Sequence, residues 1–161
     1  MIIKVAIRSL LAFGVSVTLF GGILTAGIGP ARAGELDFDS CPPFDAGSGT
    51  VLSFSSPQFA DFADVAFVQG QTYTFTTTFR SGITSPYSRY TIHAIIGNIP
   101  IPFEGAETPA GAVSHGSTYT NSINLPILSS YPAVRATFQV KVNSGLQTNV
   151  CLRFPAQIVS G

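Results

Sequence analysis

The stretch from Val134 to Ile158 constrains the fold most. Val134, Ala136, Phe138, Val140 and Val142 alternate with Arg135, Thr137, Gln139 and Lys141, and a period of two puts the first set on one dry strand face. Val150, Leu152, Phe154, Ala156 and Ile158 repeat the pattern. A strand with one dry and one wet face belongs to a sheet that packs on a second layer. Gln71 to Phe79 and Arg89 to Ile96 alternate in the same way, the latter with Tyr90, Ile92, Ala94 and Ile96 on one side. Thr50 to Phe54, Asp64 to Val68 and Thr118 to Leu125 complete seven or eight short strands separated by Gly, Pro and Ser clusters. This spacing predicts an all-β, immunoglobulin-like two-sheet sandwich. Past residue 33 there is no helical periodicity, internal repeat or linker.

Two Pro-punctuated apolar segments interrupt the pattern, Ile99-Pro100-Ile101-Pro102-Phe103 and Leu125-Pro126-Ile127-Leu128-Ser129-Ser130-Tyr131-Pro132. Proline has no N–H to give a ladder, so neither segment is expected in a sheet interior. An extended apolar rim, suited to the mouth of a pocket, is expected instead. Between them, Glu104 to Ser117 is rich in Gly and Ala and reads as a mobile loop.

The N-terminus carries Lys4 and Arg8, an apolar run from Ser9 to Gly29, and Ala31-Arg32-Ala33. Such an order predicts a signal peptide over residues 1–33, with the mature domain at 34–161. An uncleaved membrane anchor is the competing reading, because the run approaches the roughly 20 residues that span a bilayer. The glycines near its end and the small-x-small signature favour cleavage. Removal of Lys4, Arg8 and Arg32 leaves five of the eight basic residues against all eight acidic ones, a net of −3. These five are scattered singly, which argues against nucleic acid and against a polybasic membrane patch. Cys41 and Cys151 are the only cysteines, and an even pair in an exported chain reads as a disulfide.

Catalysis finds little footing. His93 and His115 form no H-x-x-H arrangement, and His115 beside Ser114 lacks a G-x-S-x-G elbow. His93 reads as an ordinary strand residue. Glu35, Asp37, Asp39 and Asp45 lack EF-hand spacing and read as a solvated end. No enzyme, metal or cofactor is expected.

In order and spacing the two Pro-rich segments resemble those of the ML lipid-recognition family, in particular its sterol-carrier branch named for Niemann-Pick type C disease. The likeness runs from Gly70-Gln71-Thr72-Tyr73 through His93 to Phe103. It resumes at Thr118-Tyr119, passes Leu125 to Pro132, and closes on Cys151 and Pro155-Ala156-Gln157-Ile158-Val159-Ser160. The resemblance implies an apolar cavity between the sheets and a disulfide between the first and last cysteines. It also implies a tunnel entrance at Phe103, Ile127 and Tyr131, where sterol carriers have Phe, Val and Tyr. The Val-to-Ile change adds one methylene, about 0.8 kcal/mol if buried. Ile96, Ile99, Ile101 and Pro132 are wall candidates by adjacency. Val140 and Leu152 stand where sterol carriers place tryptophans, which implies a wider or reshaped cavity. The family's further disulfides are missing.

The resemblance therefore implies a secreted, monomeric protein that binds and transfers a sterol or similar apolar lipid, with transient contact to a membrane or acceptor protein. Phospholipid transfer, or recognition of a protein or glycolipid partner, stands as the alternative. Resemblance to lysosomal carriers makes an endolysosomal lumen the second location, but no N-x-Ser/Thr sequon is present.

Overall fold

The computed structural model describes residues 37–59 and 65–161. Nine strands lie in them: β1 (Asp39–Ser40), β2 (Thr50–Ser55), β3 (Val65–Val68), β4 (Thr72–Arg80), β5 (Arg89–Ile96), β6 (Ile99–Pro109), β7 (Thr118–Pro126), β8 (Arg135–Ser144) and β9 (Gln147–Val159). The larger sheet runs β1-β9-β8-β5-β6, with β3 parallel to β9, and the smaller runs β2-β4-β7. The expected two-sheet sandwich is therefore the fold. Asp64 and the predicted signal peptide lie outside the described residues.

The dry faces meet in an aromatic core. Phe54 and Phe75 of the small sheet stack with ring centroids 5.4 Å apart, and Phe54 lies 5.2 Å from Phe154 of the large sheet. Phe67 meets Phe138 edge-on at 4.8 Å, and Phe138 stacks on Phe154 at 5.6 Å. Offset and edge-to-face contacts of this kind add to the burial of the rings themselves. Tyr90, Ile92 and Ala94 are buried on one face of β5, as the alternation requires.

Two readings of the sequence are corrected. Ile99 to Pro102 do pair into the sheet, at the start of edge strand β6. Pro100 and Pro102 share a parity, so their missing donors fall on one side of the strand. The other side still bonds β5, and the edge position tolerates the loss. The second correction concerns Glu104 to Ser117. Glu104 to Pro109 continue β6, and Val113 and Ser85 then exchange backbone hydrogen bonds of 2.8 and 2.9 Å. The loop expected there is shortened and tied down. Its small residues permit the path, but strand pairing decides it.

Cys41 and Cys151 form a disulfide with a Cα–Cα distance of 5.5 Å, within the usual range. Beside it, β1 pairs Ser40 with Leu152, so the N-terminal segment is fixed to β9. The chain then passes Gly47, whose φ of +81° and 2.4 Å approach of a hypothetical Cβ to the Asn149 carbonyl oxygen leave room for glycine alone.

Candidate functional site

The hairpin β5–β6 turns through Gly97-Asn98, with a positive φ of 64° at Gly97, as a two-residue type II′ turn demands. Ile96 then lies opposite Ile99, and Ala94 opposite Ile101. Register partners share a face, so Ile99 and Ile101 lie on the side that buries Ala94 and Ile92. Yet Ile96, Ile99 and Ile101 are 38, 68 and 44% exposed. The apolar face of the large sheet thus runs out past the small sheet and into solvent.

Where the open face meets the core, β6 bulges. His93 opposes Pro102 and Thr91 opposes Glu107, so Phe103 to Ala106 stand against Ile92 alone. Surplus residues of this kind bend a strand and re-aim its side chains. Phe103 stacks on Phe138 with centroids 5.4 Å apart and planes at 11°, and it meets Tyr131 at 5.4 Å and 63°. The Tyr131 hydroxyl accepts a 3.0 Å hydrogen bond from the Glu104 backbone N–H, and the Gln69 amide donates to the Tyr131 carbonyl at 2.5 Å. The segment after β7 is thereby fastened to the free strand of the opposite sheet.

The predicted entrance residues separate into two groups. Phe103 and Tyr131 are in contact and half-buried. Ile127 is 1% exposed and sits in the core, because its N–H donates to the Gln71 carbonyl at 2.8 Å and its carbonyl accepts from Gly70 at 2.6 Å. Of the wall candidates, Val140 and Leu152 are buried register partners, whereas Ile96, Ile99, Ile101 and Pro132 are exposed. Phe138, Gln69 and the Glu104 amide were not foreseen in the site. Phe138 is legible only as a core residue, and nothing in sequence marks the two cross-element hydrogen bonds.

The space between the sheets is occupied by Phe54, Phe67, Phe75, Phe138 and Phe154. Clefts of about 590, 450 and 420 Å³ are elsewhere, and the expected cavity between the sheets is not among them. The largest crosses the wet face of the large sheet beneath Phe44. There Asp45 accepts from Lys141 at 2.5 Å and from Gln139 at 3.0 Å. Burial pushes the Asp45 carboxyl up, but Lys141, Gln139 and Arg153 together outweigh it and hold the group below the usual 3.8. His93, half-buried on the same face, is pushed below its usual value by desolvation and by Lys141, against Glu107 and Asp45. Both groups serve as parts of a polar outer layer. His115 lies in the tied-down loop, its N–H donating to Thr84.

Comparison with known proteins places this geometry. A family model described as the ML domain matches residues 35–158. A curated relative from Danio rerio, named NPC intracellular cholesterol transporter 2, is 28% identical over 102 residues, covering 57% of this chain and 66% of the relative. Its namesake from Mus musculus is 29% identical over 100 residues with the same coverage. The chain thus spans just under two thirds of the length of these relatives. A crystal structure of a Niemann-Pick type C2 protein from Japanese carpenter ant superposes with a TM-score of 0.59 at 12% identity, over 76% of this chain and 99% of that one, and shows the same fold. The names of these relatives describe cholesterol transport. With its sandwich, its disulfide and a match over most of its length, the chain belongs to the ML-domain family.

Proposed function

We propose that this protein binds and transfers a sterol or a similarly apolar lipid, which it holds between its two sheets. One observation carries the reading: an exposed apolar face formed by Ile96, Ile99 and Ile101 leads directly to a contact, Phe103 with Tyr131, that closes on the aromatic core. The relatives named as cholesterol transporters support the choice of ligand. The interior is packed, so uptake requires the rings of Phe103 and Phe138 to swing aside and the sheets to part. Burial of the lipid at about 25 cal/mol per Å² of apolar area drives this opening. No covalent step and no cofactor is involved. During handover the exposed isoleucines rest on a membrane or an acceptor protein. Export, supported by the disulfide and the predicted signal peptide, places the carrier outside the cell or in an endolysosomal lumen.

Native mass spectrometry tests the reading. The purified protein, incubated with cholesterol-containing vesicles and re-isolated, gains the mass of one sterol if the reading is right. A bare mass after exposure to both cholesterol and phospholipid vesicles contradicts it, whereas a phospholipid adduct alone transfers the same mechanism to the other lipid class.

A further inference from the structure

A polar pair lies among the apolar residues of the core. Thr77 of β4 and Tyr90 of β5 are both fully buried, and their hydroxyls are hydrogen-bonded to each other between the two sheets. Two hydroxyls carry two protons, and one of these lies in the bond they share. Whichever group donates, the other keeps a proton that no hydrogen bond engages, since among the described residues neither side chain makes another hydrogen bond. A buried donor left in this state is costly, and a partner that supplies an acceptor recovers that cost.

The pair also has a defined place relative to the mouth. On β5, Ala94 is in register with Phe138, the residue on which Phe103 stacks, and Tyr90 is four residues further on, opposite Val142. On β4, Thr77 is four residues beyond Tyr73, whose partner Leu125 precedes the Ile127 segment. At about 3.3 Å per residue both distances are about 13 Å. The hydroxyl pair therefore stands about 13 Å along the core from the contact of Phe103 with Tyr131, separated from it by buried apolar side chains such as Ile92 and Val140.

Resting on the lipid-carrier reading above, we infer that Thr77 and Tyr90 select a lipid whose buried end bears an oxygen, a hydroxyl or carbonyl about 13 Å beyond the mouth, in preference to the same lipid ending in plain hydrocarbon. The apolar body lies along Ile92 and Val140, and the terminal oxygen accepts the spare proton of the pair. A hydroxyl on the ligand then returns its own proton to a free lone pair of Thr77 or Tyr90.

Competition binding with two matched pairs tests this: cholesterol against 25-hydroxycholesterol, and palmitate against 16-hydroxypalmitate. Wild-type protein is expected to bind the tail-hydroxylated member of at least one pair about tenfold more tightly, the scale of one buried hydrogen bond. In the near-isosteric double variant Thr77→Val with Tyr90→Phe the preference disappears while the plain ligands still bind. Because both hydroxyls leave together, no unpaired group remains and the fold is retained; Tyr90→Phe alone provides a second variant with the ring intact. Equal affinity of wild type for both members of each pair, or a preference that survives in the double variant, overturns the inference and leaves the carrier reading standing. Binding of none of the four ligands overturns both.

Discussion

Phe103 and Tyr131 meet with ring centroids 5.4 Å apart, and the Tyr131 hydroxyl accepts a hydrogen bond from the Glu104 N–H, which lies in the β6 bulge. Strand β6 of the large sheet and the segment that follows β7 of the small sheet are thus joined by one aromatic contact and one hydrogen bond. Tyr131→Phe keeps the ring and removes only the bond, worth about 0.5–1.5 kcal/mol. Uptake of a fluorescent sterol is expected to quicken by up to about tenfold with little change in Tm. An unchanged rate in stopped-flow mixing removes this bond from the opening step.

The disulfide closes a loop across a sequence separation of 110 residues. In the chain-entropy model this stabilises the fold by about 4–5 kcal/mol at 25 °C. Urea titration of the paired variant Cys41→Ser with Cys151→Ser is expected to give an unfolding free energy lower by that margin. A loss under 1 kcal/mol contradicts the estimate.

Phe67 lies at the centre of the aromatic cluster, touching Phe59, Tyr73, Phe75, Phe138 and Phe154. Phe67→Ala is expected to lose about 3–5 kcal/mol, since the removed ring leaves a cavity among groups held by both sheets. Chemical denaturation measures it. A small loss would mean that the neighbouring rings collapse into the space, the same mobility that lipid uptake needs.

Burial raises the Asp45 carboxyl, and Lys141, Gln139 and Arg153 lower it further than that, to a net value below 3.8. A group whose folded pKa is depressed adds stability above its unfolded pKa and loses it as pH falls through the folded value. Asp45→Asn is therefore expected to lower Tm at pH 6, with the gap to wild type shrinking below about pH 3.8. A gap that stays constant down to pH 2 shows that the charge of Asp45 is immaterial.

The strands were legible wherever alternation was clean. Arg89 to Ile96 emerges with the bounds read from its pattern, and β8 and β9 follow Val134 to Ile158 closely. β6 was missed because its prolines argue against pairing, and only the sheet order reveals that it occupies an edge. The mouth was half legible. Resemblance grouped Phe103, Ile127 and Tyr131; Phe103 and Tyr131 are in contact, whereas the burial of Ile127 depends on its backbone bonds to Gln71 and Gly70, which no residue pattern announces. The Thr77 and Tyr90 pair escaped notice for a related reason: each looks like an ordinary strand residue until the sheets face each other.

The most direct test of lipid carriage is an equilibrium titration with the fluorescent sterol dehydroergosterol, run on wild type and on Phe103→Ala, with Tm recorded for both. Saturable one-to-one binding by wild type, weakened at least about tenfold in a still-folded Phe103→Ala, is the result predicted. Absence of saturable binding, or equal affinity in the two proteins, contradicts uptake through this mouth.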